Sequence, residues 1–205
     1  MTDRDVSEAA RQVTGLYERH AADWIKDRGQ DLFEKPWLDR FLALVPPAGR
    51  LLDLGCGSGE PIARYMVSQG YDMTGVDASP SLISHCQATF PDQAWLTADM
   101  RSLDLGATYD GIVAWHSFIH LTPDDNRRMV PILRRHSRPG TVIMFTCCRE
   151  PGDMLGTYRG EALYHGGIDQ DEFRRLLKTH DFDVLEHVRE DPDCGHATIW
   201  LARRI

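Results

Sequence analysis

The sequence predicts an α/β domain built on a mostly parallel sheet, and three observations carry that reading. From residue 50 onward, short aliphatic or β-branched runs alternate with amphipathic stretches, the pattern of successive βαβ units. The first of those runs, Leu51-Leu52-Asp53-Leu54, passes straight into Gly55-Cys56-Gly57-Ser58-Gly59, so a glycine turn joins a strand to the next helix. Neither a repeat nor a second core interrupts the 205 residues, which therefore read as one domain, 1–205.

Taken in order, residues 5–45 predict a helical cover, in which Leu16, Trp24, Leu32, Phe33, Trp37, Phe41 and Leu44 supply apolar faces before Pro46-Pro47. Strands are expected at 50–54, 71–76, 94–97, 109–114, 141–147, 183–189 and 196–202. Helices fill the gaps at 60–69, 80–89, 123–136 and 169–179. Ser79 before Pro80, Thr122, and Asp169 with Glu172 at capping-box spacing supply their N-terminal signals. Residues 148–168, rich in Gly and polar side chains, read as a long loop of the kind that forms a lid or a substrate loop.

Charge and composition narrow the partners. With 31 acidic against 23 basic residues, a net charge of −8 and a pI near 5.5, the chain lacks the cationic surface that nucleic acid requires. No window approaches the ~18 apolar residues of a membrane span, and the opening MTDRDVSEAARQ has no secretory pattern. Five cysteines without a C-x-x-C pair suit neither a disulfide framework nor a zinc ribbon. A soluble protein of the reducing cytoplasm is expected, with a small-molecule partner, no nucleic acid and no membrane.

Four strand ends carry the chemistry. The glycine turn lets a ligand approach the backbone while the following helix offers free N–H groups, which implies a nucleotide-like ligand. A dinucleotide fingerprint would place a third glycine where Glu60 stands, and an acidic helix start also disfavours a pyrophosphate. Asp77, in Gly75-Val76-Asp77-Ala78-Ser79, can accept both hydroxyls of a ribose. Ala98-Asp99-Met100 sets a carboxylate beside a thioether, suited to an adenine amino group and ring face, although Asp99 could equally cap a helix. Tyr109 to Ala114 reads as a buried strand that delivers Trp115 and His116 to the carboxyl edge of the sheet, where ligands of open α/β sheets bind.

In these motifs (LDLGCGSG, GVDAS, ADM and YDGIVAW) the sequence resembles the class I S-adenosylmethionine-dependent methyltransferases, small-molecule type. The resemblance covers residues 50–145. It implies a doubly wound, seven-stranded, Rossmann-like sheet with an antiparallel last strand, and an N-terminal segment that covers the cofactor. It implies S-adenosyl-L-methionine as methyl donor and S-adenosyl-L-homocysteine as product. Contacts would come from Asp53, Gly55, Cys56, Gly57, Gly59, Asp77, Ala78, Ala98, Asp99, Met100 and Trp115, with Asp53 supporting the methionyl amino group. Tyr17, Trp24 and Arg28 resemble in placement the residues that close over the cofactor, or are core packing. A cofactor-binding module without catalysis and an NAD-dependent oxidoreductase are the rival readings.

The histidines remain. His116, with an ordinary imidazole pKa near 6.5, is the candidate general base, the alternative being that it only lines the pocket. His116 and His120 lie four apart but lack a third partner, so no metal is expected. Tyr158, Tyr164 and His165 fall in the 148–168 segment and could grip a substrate or anchor the loop.

Overall fold

The computed structural model describes residues 3–205; the first two positions of the expected domain lie outside them. Three helices, α1 (Asp3–Arg19), α2 (Ala21–Arg28) and α3 (Lys35–Leu42), precede the first strand, as the apolar spacing of that segment requires. Then come β1 (Arg50–Leu54), α4 (Ile62–Ser68), β2 (Asp72–Asp77), α5 (Pro80–Thr89), β3 (Ala94–Thr97), β4 (Tyr109–Ala114), α6 (Pro123–Arg135) and β5 (Ser137–Cys147). The chain ends with β6 (Gly152–Tyr158), β7 (Glu161–Gly167), α7 (Gln170–Thr179), β8 (Phe182–Asp191) and β9 (Ala197–Arg204). Pro80 occupies the first turn of α5 behind Ser79, whose hydroxyl accepts the Leu82 N–H, while Thr122 and Asp169 cap α6 and α7.

Seven strands pair in the order β3-β2-β1-β4-β5-β9-β8. All neighbours run parallel except β9, which is antiparallel to both β5 and β8. Strand alternation divides the core between two faces. Leu51, Val142, Ile199 and Leu201 pack with Phe41, Ile62 and Ile83, while Leu52, Ile143, Trp200 and Ala202 pack with Met129, Leu133 and Phe173. Helices therefore cover both faces, and the strand order reverses between β1 and β4. That reversal opens a crevice at the carboxyl ends of the strands.

Residues 148–168 differ from the expected loop. Most of them form a β-hairpin in which β6 and β7 pair from Gly152↔Gly167 to Tyr158↔Glu161. Arg159 and Gly160 both have positive φ, 51° and 83°, the backbone of a two-residue hairpin turn. Arg-Gly is a weak turn signal, and the internal glycines obscure the alternation of a strand. Gly166 is there for closeness, since a Cβ would lie 2.3 Å from the Tyr164 hydroxyl and 2.6 Å from the Leu121 carbonyl oxygen.

Candidate active site

The crevice is a cleft of about 390 Å³. Its floor is the glycine turn, where the N–H groups of Gly55 and Cys56 both donate to the Val76 carbonyl and lock the end of β1 onto β2. Asp77 fixes the rest of the turn, accepting the Gly57 N–H at 2.9 Å through Oδ2 and the Ser79 N–H at 2.9 Å through Oδ1. Burial raises its pKa, against the pull of those N–H donors. The Ala78 N–H also acts on it, so of the roughly four acceptor directions of a carboxylate at least one stays open for a ligand. Beside it Asp53 is buried, and desolvation together with the neighbouring Asp77 charge raises its pKa to about 7.

Asp99 meets the capping alternative and also stands at the cleft. It caps a short turn by accepting the Arg101 N–H at 2.9 Å, and Arg101 grips both its oxygens at 2.6–3.0 Å, which holds its pKa low. It also lines the cleft with Ala98 and Met100. Gly59 is the exception among the predicted residues. It does not line the cleft; a Cβ there would meet Phe90, Trp95 and Cys86 at 3.0–3.5 Å, so it serves the packing behind the turn.

The N-terminal helices roof the cleft. Trp24 lies over the glycine turn, its Nε1 only 3.2 Å from where a Cβ on Gly57 would stand. Tyr17 packs edge-on against Trp24, with ring centroids 5.2 Å apart, and stacks on Tyr158 of the hairpin at 6.2 Å. His120 Nδ1 lies 2.9 Å from the Tyr164 carbonyl oxygen, which can only accept, so that nitrogen carries the proton. Burial holds the pKa of His120 down to about 4, and its neutral Nε2 accepts the Tyr17 hydroxyl at 2.8 Å. One chain of contacts thus ties α1, the end of β4 and the hairpin together.

His116 follows β4 as expected but in the left-handed region, φ 51°, with its N–H held by Thr146 Oγ1 at 2.8 Å. Burial, aided by the Arg28 charge, pushes its pKa down to about 4 rather than leaving it near 6.5. The imidazole is neutral at physiological pH and a weak base. Tyr164 is fully buried and its hydroxyl donates to Asp153, so it anchors the hairpin rather than facing a ligand. His165 packs on His120, ring centroids 4.9 Å apart, and His196 lies outside the cleft. Burial raises Cys147 and Cys148 to pKa values of about 11, which leaves them inert thiols.

Glu18, Glu34 and Ser117 carried no signal in the sequence. Glu18 accepts from Ser79 Oγ at 2.5 Å and from Ser81 N and Oγ at 3.0 and 2.6 Å, latching the roof to α5. Glu34 is buried and receives the Arg28 guanidinium. Trp115 Nε1 and Ser117 Oγ are buried without a hydrogen-bond partner among the described residues.

A family model described as a methyltransferase domain matches residues 20–187. The chain belongs to the class I S-adenosylmethionine-dependent methyltransferases. Among curated relatives it is 27% identical over 168 residues to an O-methyltransferase of Pyrenophora dematioidea, covering 73% of this chain and 61% of that protein. It is 33% identical over 108 residues to a trans-aconitate 2-methyltransferase of Azoarcus, covering 50% and 41%. It is 28% identical over 102 residues to a dTDP-3-amino-3,4,6-trideoxy-α-D-glucopyranose N,N-dimethyltransferase of Streptomyces venezuelae, covering 49% and 43%. The chain therefore spans 41–61% of the length of these relatives. Its fold is that of the magnesium protoporphyrin IX methyltransferase of Synechocystis solved with bound S-adenosylhomocysteine: TM-score 0.74, 16% identity, covering 96% of this chain and all of the other. For a TehB-like methyltransferase of Corynebacterium glutamicum the TM-score is 0.69 at 20% identity, covering 93% and 99%.

The cleft of this methyltransferase suits an adenosyl ligand. Any Cβ on Gly57 would fill the gap beneath Trp24, and Asp77 keeps an open acceptor direction beside that gap. Glu60 accepts from Arg64 Nε through both oxygens at 2.7–2.8 Å and lines the cleft, an acidic group that disfavours a dinucleotide pyrophosphate at this helix start.

Proposed function

We propose that the protein is a cytoplasmic enzyme that transfers a methyl group from S-adenosylmethionine to a small molecule, with residues 148–168 acting as a lid only indirectly, by backing the roof residues Tyr17 and Trp24 through Tyr158. The observation that carries this is the convergence of the glycine turn, Asp53, Asp77, Asp99 and the β4 end on one roofed cleft. The five cysteines are free and buried, in keeping with a reducing compartment, and no helix among the described residues is long and apolar enough to cross a membrane.

When bound, S-adenosylmethionine supplies an electrophilic methyl group on its sulfonium sulfur. Asp77 would accept the ribose hydroxyls, Asp53 would face the methionyl ammonium, and Ala78, Ala98, Asp99 and Met100 would border the adenine. Gly55, Cys56, Gly57 and Trp115 would border the methionyl chain, with Tyr17, Trp24 and Arg28 closing above. Aromatic walls exclude water, which leaves a nucleophile poorly solvated beside the methyl group, and orientation does most of the catalytic work.

S-adenosylhomocysteine is expected to stabilise the protein by about 2.7 kcal/mol at a hundredfold excess over Kd, read as a rise in Tm. A Tm indifferent to millimolar ligand would sink the assignment. In calorimetric titration, Asp77→Ala should weaken that ligand by about 1.5–3 kcal/mol, the range for hydrogen bonds to a charged group. Unchanged affinity would mean that the ribose sits elsewhere.

A further inference from the structure

We infer that a second cavity, beside the cleft under the first half of α1, receives the far end of the methyl acceptor. The acceptor is then an elongated molecule, apolar along its middle and tipped with a hydrogen-bond donor such as a hydroxyl or an amine. This rests on the methyltransferase reading above and adds to that site a subsite and a substrate class.

The second cavity measures about 280 Å³ and shares one residue, Ala10, with the cleft. Helix geometry explains the continuity. Val6, Ala10, Val13 and Tyr17 follow one another at three- or four-residue steps, so they fall on one face of α1. Val6 and Ala10 border the second cavity, while Ala10, Val13 and Tyr17 border the cleft. The facing wall is continuous as well, passing from His120 and Leu121 in the cleft to Thr122 and Pro123 in the second cavity. One helix face thus roofs both spaces, and only the methyl group of Ala10 stands at their junction.

The cleft alone offers little room for two molecules. Its volume of about 390 Å³ lies near the lower end of the roughly 300–1,000 Å³ that a single small ligand occupies. The adenine, ribose and methionyl borders assigned above take most of its wall, so an acceptor larger than its reacting group needs further space. The hairpin of β6 and β7 fits this picture: it contributes no residue to the cleft, yet it borders the second cavity through Asp153.

The lining sets the chemistry. At the junction Ala10, Val13 and Leu121 present only carbon, which suits an apolar middle. Beyond it, Asp153 holds the Tyr164 hydroxyl through Oδ1, and its Oδ2 has no partner among the described residues. Asp124 takes Arg127 at 2.8 Å through Oδ1 only. Among the described residues no Lys, Arg or His lines this cavity. A tail ending in an anion would meet two carboxylates and no lining cation, whereas a hydroxyl or an amine finds open acceptors.

The test approaches from the cofactor side, so the acceptor itself need not be known. Analogues of S-adenosylhomocysteine with nitrogen in place of sulfur carry on that nitrogen an ω-hydroxyalkyl tail, which leaves where the transferred methyl would. From Tyr17 to Ala10 the helix rises roughly 10 Å, at ~1.5 Å per residue, which tails of up to about twelve carbons can span. Calorimetric titration should show affinity rising at least about tenfold from the shortest tail to the longest, since each buried methylene can add about fourfold. A carboxylate in place of the terminal hydroxyl should weaken the longest analogue by at least about tenfold. Ala10→Leu should cancel the gain of the long tails, and Val6→Phe should stop it at a shorter length. In both variants Tm and the affinity for S-adenosylhomocysteine are the controls and should stay at their wild-type values. A crystal structure of the longest complex should place the terminal hydroxyl against Asp153. Affinity that ignores tail length, a gain that survives both substitutions, equal binding of the carboxylate-tipped tail, or a terminus lying in solvent each overturns the inference. If S-adenosylhomocysteine itself does not bind, the methyltransferase reading falls; if it binds and the tails add nothing, that reading stands and the second cavity is no part of the site.

Discussion

Gly55→Ala is expected to destabilise the protein by about 2–5 kcal/mol and to remove measurable affinity for S-adenosylhomocysteine. Two costs add. Gly55 has φ +76°, a left-handed conformation that costs a residue with a Cβ about 1–2 kcal/mol. The new Cβ would also stand 2.4 Å from the Ser117 Cβ and 3.1 Å from Met100 Cε. Met100 can move its chain end, but Ser117 Cβ is fixed to backbone, so the turn itself must shift, and overpacking of this kind costs about 1–3 kcal/mol. Because the Gly55 and Cys56 N–H groups tie the turn to Val76, that shift propagates to Gly57 and its bond with Asp77. Gly57→Ala makes the useful contrast, since its Cβ would meet only the movable Trp24 side chain at 3.2 Å. It should lose less stability than Gly55→Ala while still filling the ligand approach. Thermal melts and ligand titration of both variants read the difference; a Gly55→Ala protein with wild-type Tm and affinity would show that the turn is not held as described.

These glycines were legible in the sequence because their requirement is local: a strand end, a tight turn and a helix start set by consecutive residues. The same holds for Asp77 and Trp115, which stand where a parallel strand must end. What the sequence hid depends on separation or on environment. Glu18 meets Ser79 and Ser81 across 61 and 63 positions, and the His120 contact with Tyr17 spans 103. No periodicity reports such pairs. The hairpin of β6 and β7 was hidden because Gly156, Gly166 and Gly167 answer to close packing against His165, Tyr164, Leu121 and Cys148, which leaves Gly160 alone to mark the turn. His116 was placed correctly at the sheet edge, yet its role as a base rested on an unperturbed imidazole. Burial, invisible in composition, lowers that pKa to about 4 and changes what the residue can do.

Environment also sets the largest pH effect expected of a single side chain, that of Asp53. Its carboxyl ionises near 3.8 in the unfolded chain and at about 7 when folded. Between those values the native state holds the extra proton, so the ligand-free protein loses stability as pH rises from about 4 to about 7, and the loss is complete above 7. At ~1.36 kcal/mol per pKa unit the span amounts to about 4 kcal/mol, with little screening because the side chain is only 4% exposed. Asp53→Asn removes the titration. Relative to wild type the variant should gain about 4 kcal/mol on going from pH 4 to pH 8, measured by urea unfolding at each pH. Binding should run the other way. Above pH 7 the wild-type carboxylate would face the ligand's ammonium, and the variant should bind S-adenosylhomocysteine more weakly by about 1.5–3 kcal/mol. Near pH 5, where the empty wild-type site carries a neutral acid, the two proteins should differ less. Stability curves that stay parallel from pH 4 to 8 would show that the carboxylate is solvated after all. A variant that is more stable yet binds equally well at pH 8 would instead move the ammonium away from Asp53 and leave that carboxyl as part of the floor beneath the glycine turn.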